Sequence, residues 1–359
     1  MKIILKRSGI LSILILIAVF GFFSVNTAVA AKTLKWQCAY SKTAGSGQTL
    51  MFFADKVKEY TKGEVEIKLY WPGQLVKASQ ALTAMQRGMI DGYSGSMLYF
   101  AGTIPEINGQ WLPYAWKNPL EGLDAFYNYG LRDVMREASA RHGVFYVTTF
   151  TASNYGFMTN FPVHKLEDLK GKKIRSVGMG SHVVRALGAA PVSMLANEAY
   201  TGLQRGTVDG NLYVFYTLED YKLHEVTEYV IKPAVYTPAF GDIAMSLKVW
   251  EGLSPEHKEA FERAAVETTW RSYFYGTIKD EYVVTDFAKE KGLKIITLSS
   301  EEVKRFREAA SVVYDTHAKK SDLCAKQVEI VRNYVQTKGK IKSPQFVPSR
   351  VRSEAMRSK

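Results

Sequence analysis

The 359-residue sequence contains two cysteines, Cys38 and Cys324, too few for a disulfide-stapled scaffold or a cysteine-rich zinc module. It lacks the phosphate-binding GxxxxGK[ST] loop, the HExxH zinc helix and the GxSxG nucleophile turn. Its six histidines are scattered, and no two of them have the spacing of metal ligands. We therefore expect a protein that is not an enzyme, with no catalytic residue, no cofactor and no metal-binding residue.

Long apolar runs are absent after the first 30 residues. Before that point, three basic residues precede an apolar run over residues 10–23, and Ala28-Val29-Ala30 follows. This order is typical of a secretory signal peptide. A membrane anchor is the alternative, but the run is shorter than the roughly 20 residues that span a bilayer. We predict a signal peptide over residues 1–30, cleavage after Ala30, and an exported protein in which Cys38 and Cys324 are separate buried thiols.

Charge is concentrated at the two ends of the chain. The formal net charge is +12, yet residues 1–30 carry three basic and no acidic side chains, and residues 336–359 carry seven basic and one acidic. The body between them is nearly balanced, so we expect no nucleic-acid partner. A basic tail could contact an anionic surface, but a solvated C-terminus is the simpler interpretation.

The length and an apolar content of 47% predict two α/β-sized domains. Strand-like runs alternate with helix-like runs. Residues 144–151 read as a strand passing between domains, residues 243–247 as another strand, and Ser254 starts a helical region that reaches about residue 291. This alternation indicates open, mostly parallel sheets covered by helices.

An internal repeat relates two parts of the chain. Residues 81–92 read ALTAMQRGMIDG and residues 199–210 read AYTGLQRGTVDG, identical at seven of twelve positions. Each segment has a helix, a glycine that can adopt the left-handed cap conformation, and a short apolar step ending in Asp-Gly. Asp91 and Asp209 could be paired acid–base carboxylates, but their matched positions favour a turn-stabilising role. The repeat predicts two related βα halves facing a shared cleft.

A dinucleotide-binding turn is a further alternative. Gly178-Met179-Gly180 follows a strand and opens a helix, and Glu198 lies about where a ribose-binding acid would be. The third glycine of GxGxxG is missing, because Val183 occupies its place. We do not expect a dinucleotide site here.

Three segments carry a resemblance to a known family: LEDLKGKKIRSVGMG from residue 166, ALGAAPVSM from residue 186 and NEAYTGLQRGTVDG from residue 197. They resemble, in order and spacing, the substrate-binding subunits of tripartite ATP-independent periplasmic (TRAP) transporters of the dicarboxylate-binding-protein-like family. The stretch FADKVKEYTKGEVEIKLYWPGQL resembles that family's first helix and second strand. The resemblance covers about residues 34–297.

The resemblance implies a periplasmic α/β protein with the two-lobed binding-protein fold: two open mixed sheets flanked by helices, hinge strands, and a long helix shared by both lobes. We assign residues 31–152 and about 239–280 to lobe I, residues 153–238 and about 281–335 to lobe II, and residues 336–359 to the tail. It further implies a monomer that captures a small carboxylate and delivers it to integral membrane transporter subunits. There are two alternatives. One is a binding protein of similar fold that serves an ATP-driven importer or a sensor, and the other is an exported α/β enzyme.

The resemblance also assigns site residues. In this family the arginine of the Lys-Ile-Arg strand holds the ligand carboxylate, and that position is Arg175. The sequence departs from the family at two positions where relatives have polar residues that hold the ligand. Tyr213 stands where relatives have an asparagine, and a second arginine is missing from residues 154–158, a stretch that contains Tyr155. By alignment, Tyr40, Tyr93, Ser94 and Ser96 line the other lobe. We therefore expect a monocarboxylate with an aromatic, branched or otherwise largely apolar body, with any 2-oxo or 2-hydroxy group near Ser94 or Ser96.

Overall fold

The computed structural model describes residues 31–337, apart from the side chains of residues 152 and 153. The predicted signal peptide, its cleavage site and the basic tail from residue 338 lie outside these described residues.

The described residues form one ten-stranded mixed sheet. Its main path runs β2-β1-β3-β9-β4-β7-β5-β6, with β8 pairing with β4 and β10 pairing with β8. The strands are β1 Lys32–Cys38, β2 Val65–Tyr70, β3 Gly92–Gly95, β4 Val144–Thr159, β5 Lys173–Arg175, β6 Ala190–Val192, β7 Gly210–Val214, β8 Tyr229–Lys232, β9 Tyr236–Ser246 and β10 Lys294–Thr297. The two predicted sheets are thus joined into one hydrogen-bonded ladder.

Helices cover the sheet and connect its parallel strands. The α-helices are α1 Gly45–Tyr60, α2 Ala81–Gln86, α3 Pro119–Asn128, α4 Leu131–Ala140, α5 Met179–Ala186, α6 Ala199–Gln204, α7 Thr217–Asp220, α8 Leu247–Glu251, α9 Pro255–Tyr282, α10 Ala288–Glu290, α11 Ser300–Ala318 and α12 Asp322–Thr337. A π-helical turn, Val283–Phe287, links α9 to α10. The long helical region predicted from Ser254 is confirmed, with the Ser254 hydroxyl accepting from the backbone N–H of His257.

Two long antiparallel strands, β4 and β9, pass through both halves of the fold. The ladder between them extends from Val144 paired with Ser246 to Tyr155 paired with Tyr236. β3 joins β9 near one end of this ladder, whereas β7 joins β4 near the other. The β1–β3 half, the first lobe, and the β5–β7 half, the second lobe, are therefore connected by β4 and β9, which are the hinge strands.

The strand β9 begins at Tyr236, seven residues before the predicted start at residue 243. The sequence pattern misses this first part because Pro238 and Gly241 are both unusual inside a strand. Gly241 has a packing reason for its lack of a side chain. A Cβ atom at Gly241 would lie 2.2 Å from the ring of Phe150, which is completely buried on β4. The glycine therefore makes room for an aromatic ring between the two hinge strands.

The predicted repeat is present in the structure as the same unit in both lobes. Asp91 accepts a hydrogen bond from the backbone N–H of Lys35 at 2.7 Å, and Asp209 accepts from that of Lys173 at 2.7 Å. Each carboxylate thereby fixes the start of one strand to its parallel neighbour, β3 to β1 and β7 to β5. The turn-stabilising interpretation of the two aspartates agrees with these contacts.

The helix α9 runs along the hinge strands and contacts both lobes. Ser272 accepts from the backbone N–H of Thr151 in β4 at 2.9 Å, and the Lys279 ammonium pairs with Asp220 of the second lobe at 3.5 Å. The helix also packs on α1 of the first lobe. It is the long shared helix that the resemblance implies.

The helix α12 lies on the first lobe, although the sequence analysis assigns its residues to the second. Gln327 donates to the backbone carbonyl of Glu106 at 2.8 Å, and α12 packs on α4 and the 3₁₀ helix Pro105–Trp111.

Cys38 and Cys324 are both buried free thiols, as predicted. Between residues 31 and 337, no helix combines the length and apolar character needed to cross a membrane.

Candidate functional site

A small cavity lies between the lobes, at the carboxyl ends of the parallel strands β1, β3, β5 and β7. In open α/β sheets this is where ligands bind. The lining residues are Ala39, Tyr40, Ser96, Tyr99, Trp111, Tyr155, Arg175, Val177, Ala196, Tyr213, Val214, Tyr216, Ala239 and Phe240. The cavity measures about 20 Å³, which accommodates one water-sized sphere. An organic molecule therefore requires the two lobes to move apart before it can enter.

Arg175, the last residue of β5, carries the positive charge of this cavity. Its side chain is completely buried. Nε and Nη2 both donate to the backbone carbonyl of Met194, at 3.1 and 2.9 Å, whereas Nη1 has no hydrogen-bond partner among the described residues. The guanidinium carbon lies 4.6 Å from the centre of the Tyr213 ring, in a cation–π contact. One edge of the Arg175 guanidinium is therefore fixed by the backbone, and the Nη1 edge is available to bind a ligand.

The groups that act on the Arg175 charge are phenol hydroxyls. Burial lowers the pKa of Arg175, but the hydroxyls of Tyr99, Tyr155 and Tyr213 outweigh burial, so that its pKa is raised. No carboxylate from residues 31–337 forms an ion pair with it. A buried cation without a counter-ion is costly, so an anion entering the cavity would stabilise the site.

Aromatic rings form the wall beside the guanidinium. Tyr155 on β4 meets Trp111, Tyr213 and Tyr236 edge to face, with ring centres 5.3, 5.6 and 5.4 Å apart. Trp111 also meets Phe240 edge to face. Such interlocked rings hold a fixed shape and offer flat apolar surface. The wall favours a ligand whose body is largely apolar.

The structure brings together five of the seven residues that the sequence analysis assigned to the site. The five that line the cavity are Arg175, Tyr213, Tyr40, Ser96 and Tyr155. Tyr93 and Ser94 are buried beside it but do not line it. Ser94 accepts from the Trp36 indole N–H at 2.8 Å, and the Tyr93 hydroxyl donates to the Ser96 carbonyl at 3.3 Å. Their part in ligand binding stays a prediction.

Four aromatic lining residues were missed: Tyr99, Trp111, Tyr216 and Phe240. Tyr99 and Tyr216 follow the carboxyl ends of β3 and β7, so the strand-end rule could have found them. Trp111 lies at the end of a 3₁₀ helix, and Phe240 lies in the first part of β9, before the residues predicted as a strand. Neither residue has a sequence pattern that points to a site.

A wider groove of about 340 Å³ adjoins the cavity and shares Tyr99 and Val177 with it. Leu98 of the first lobe and Leu195 of the second also line this groove. The Tyr99 hydroxyl accepts from the backbone N–H of Ala196 across the cleft at 3.2 Å. Tyr99 therefore separates the inner cavity from the groove and joins the two lobes.

A buried carboxylate, Asp242 on β9, lies beneath the cavity. It accepts from the Tyr146 hydroxyl at 2.6 Å, from Gln110 Nε2 at 2.7 Å and from the backbone N–H of Met97 at 2.7 Å. Burial raises the pKa of Asp242 to about 6, although these three donors lower it. The carboxylate thus fixes the segment that follows β3 to the hinge strand β9.

We expect this carboxyl group to make stability depend on pH. Because its folded pKa lies above the unfolded value of about 4, the folded state binds the extra proton, and its contribution to the free energy of unfolding decreases as the pH rises from about 4 to about 6. Asp242→Asn cannot titrate. Its free energy of unfolding, minus that of the wild type, should increase by about 2 kcal/mol between pH 4 and 7, measured by urea unfolding.

Subtracting the free energy of unfolding of the wild type cancels the contribution of His317, whose pH dependence is opposite to that of Asp242. Burial lowers the pKa of His317 to about 4, so its contribution to stability increases with pH over the same range. Because both proteins contain His317, the difference between them isolates Asp242. A difference that stays constant from pH 4 to 7 would show that the pKa of Asp242 is not raised.

A two-lobed α/β fold with hinge strands and a closed cavity between the lobes defines a solute-binding protein. The comparisons give its family: residues 39–321 match the model of bacterial extracellular solute-binding protein family 7, and the chain belongs to this family. It is a substrate-binding subunit of a TRAP transporter, a class of periplasmic receptors and not of enzymes.

Individual relatives are distant in sequence but cover most of the chain. The 2,3-diketo-L-gulonate-binding periplasmic protein YiaO of Escherichia coli K12 is 27% identical over 290 residues, which are 78% of this chain and 85% of that protein. An open, unliganded TRAP solute-binding protein of Rhodobacter sphaeroides is 27% identical, with a TM-score of 0.66 over 86% of this chain and 98% of the other. A malonate-bound one from Rhodoferax ferrireducens is 20% identical, with a TM-score of 0.78 over 86% and 100%.

Proposed function

We propose that this protein captures an organic acid between its lobes and delivers it to the membrane subunits of a TRAP transporter. The observation that carries the proposal is the Nη1 edge of Arg175, which is buried in the cavity. Within residues 31–337, this edge has no hydrogen-bond partner and the cavity lining contains no carboxylate. A guanidinium edge matches a carboxylate in shape and charge. We further propose that the protein acts as a monomer after cleavage behind Ala30.

The character of the lining narrows the ligand to a monocarboxylate with an aromatic or branched body. Among the described residues, Arg175 is the one cationic side chain of the lining, and the rest of the lining is mainly aromatic. A second carboxylate against these rings would lose its hydration without a cation opposite, at a cost of several kcal/mol. A thermal-shift screen of acids at equal concentration tests this. The proposal fails if succinate, malate or sialic acid stabilises the protein more than every aromatic or branched monocarboxylate, and also if no carboxylate stabilises it.

Capture requires closure, and the closed arrangement is held by hydrogen bonds across the cleft. The backbone N–H of Gly45 donates to Asp220 at 2.9 Å, and the hydroxyls of Ser46 and Tyr216 are 2.9 Å apart. These contacts join the start of α1 in the first lobe to α7 and the end of β7 in the second. A ligand held from both sides adds to them only when the lobes are closed.

We therefore expect the radius of gyration, measured by small-angle X-ray scattering, to decrease when the acid with the largest thermal shift is added to saturation. Arg175→Ala under the same conditions should keep the larger radius, since the ligand loses its anchor. An identical radius in the wild-type protein with and without saturating acid would contradict closure.

A further inference from the structure

Polar atoms without partners show which ligand atoms the cavity can bind. Three lining side chains have a polar atom with no hydrogen-bond partner among the described residues: Arg175 Nη1, Tyr155 Oη and Trp111 Nε1. Their side chains are 0%, 3% and 3% exposed. The guanidinium and indole nitrogens can only donate, and a phenol hydroxyl donates readily. A ligand that brings acceptors to these atoms satisfies donors that are otherwise buried and unpaired.

Tyr155 lies beside the anion position. Burial raises the pKa of Tyr155 to about 12, and the neighbouring Arg175 guanidinium opposes this rise. Tyr155 meets the ring of Tyr213 edge to face, and the guanidinium lies over that same ring. A carboxylate bound at Nη1 therefore places the atoms next to it close to the Tyr155 hydroxyl.

Among the described residues, the lining offers no negatively charged partner for a cationic group. It includes neither Asp nor Glu within the described part of the chain. Asp242, buried beneath, does not line the cavity, and its oxygens already accept from Tyr146, Gln110 and the Met97 backbone. An ammonium group beside the carboxylate would lose its hydration next to Arg175 and find no negative charge.

We infer that this cavity selects carboxylates with a hydrogen-bond acceptor on the adjacent carbon, such as 2-oxo acids, and rejects 2-amino acids, with the Tyr155 hydroxyl as the donor to that acceptor. This inference rests on the proposed function. It differs from the sequence analysis in the donor. Ser94 already accepts from Trp36 and does not line the cavity, and the Ser96 hydroxyl, which does line it, already accepts from the backbone N–H of Leu98 at 3.4 Å.

Matched acids that differ only at the second carbon test the selection. We propose calorimetric titration with 4-methyl-2-oxopentanoate, 4-methylpentanoate and leucine, and with phenylpyruvate, 3-phenylpropanoate and phenylalanine. In at least one series, the 2-oxo acid should bind about tenfold or more tightly than the unsubstituted acid, and the amino acid more weakly than both. Equal affinities, tighter binding of an amino acid, or no binding of either 2-oxo acid while another carboxylate binds would overturn the inference and leave the proposed function intact. Binding of no carboxylate at all would overturn both.

Two tyrosine variants test the assigned donor. Tyr236 is the matched control, because its hydroxyl is also buried without a partner and its ring is 5.4 Å from that of Tyr155, yet it does not line the cavity. Tyr155→Phe should reduce the affinity ratio of the 2-oxo acid to the unsubstituted acid at least threefold, and Tyr236→Phe should leave the ratio unchanged. If Tyr155→Phe weakens both acids by the same factor, or if Tyr236→Phe lowers the ratio equally, Tyr155 is a packing residue and the assignment is wrong.

Discussion

Replacing Arg175 by Lys is expected to weaken the binding of organic acids by roughly 1.5–3 kcal/mol, about 10- to 150-fold. The guanidinium makes two kinds of contact at once: Nε and Nη2 donate to the Met194 carbonyl, and Nη1 faces the cavity. An ammonium group is a single point charge that cannot keep the backbone contact and also present a flat edge to a carboxylate. Calorimetric titration with the acid that binds the wild type best measures the loss.

The matched control for this prediction is Arg185→Lys. Arg185 is an exposed residue of α5 and does not line the cavity, so the same exchange there should leave affinity unchanged. Both variants should retain the wild-type circular dichroism spectrum. Unchanged affinity in folded Arg175→Lys would remove Arg175 from the ligand site.

Replacing Gly241 by Val is expected to destabilise the protein by about 3 kcal/mol or more. The Cβ atom alone would lie 2.2 Å from the Phe150 ring, a distance that requires the ring or the strand to move. Phe150 is completely buried, and it also meets Tyr40 of the cavity edge to face. The hinge strands must separate or the ring must change rotamer, and either change costs packing. Urea unfolding, followed by circular dichroism, measures the effect.

Two further variants identify the cause. Gly102→Val adds the same atoms at a surface turn where a Cβ meets nothing within 4 Å, so its effect should remain within about 0.5 kcal/mol. Combining Gly241→Val with Phe150→Ala should cost less than the sum of the two single changes by at least about 1 kcal/mol, because the second change removes the obstructing ring. If Gly241→Val is no more harmful than Gly102→Val, the close approach of the hinge strands is not as described.

Local periodicity and motifs were sufficient to predict the repeat units and the long helix. The Asp-Gly repeat marks two equivalent positions because both lobes have the same physical requirement. In each lobe, a carboxylate directly before one strand accepts from the backbone of the parallel neighbouring strand. The helix from Ser254 has a cap and a proline start that depend only on adjacent residues. Features of this kind depend on residues that are adjacent in the chain, so they can be recognised in a single sequence.

Features set by distant contacts were not predictable in the same way. The sequence interrupts β9 with Pro238 and Gly241, and only the ring of Phe150, far away in the chain, explains the glycine. Likewise, Trp111 lies in the cavity because a 3₁₀ helix packs against the hinge strands, which no spacing of residues reveals. Arg175 was found because a family motif contains it.

Native mass spectrometry of the protein, purified without added ligand and again after addition of an equimolar mixture of organic acids, tests the central claim most directly. We expect one small-molecule adduct per chain on the wild-type protein, with the exact mass of a carboxylic acid, and no adduct on Arg175→Ala at the same concentrations. The account is contradicted if the bound compound has no acidic group, or if Arg175→Ala retains the acid to the same extent as the wild type.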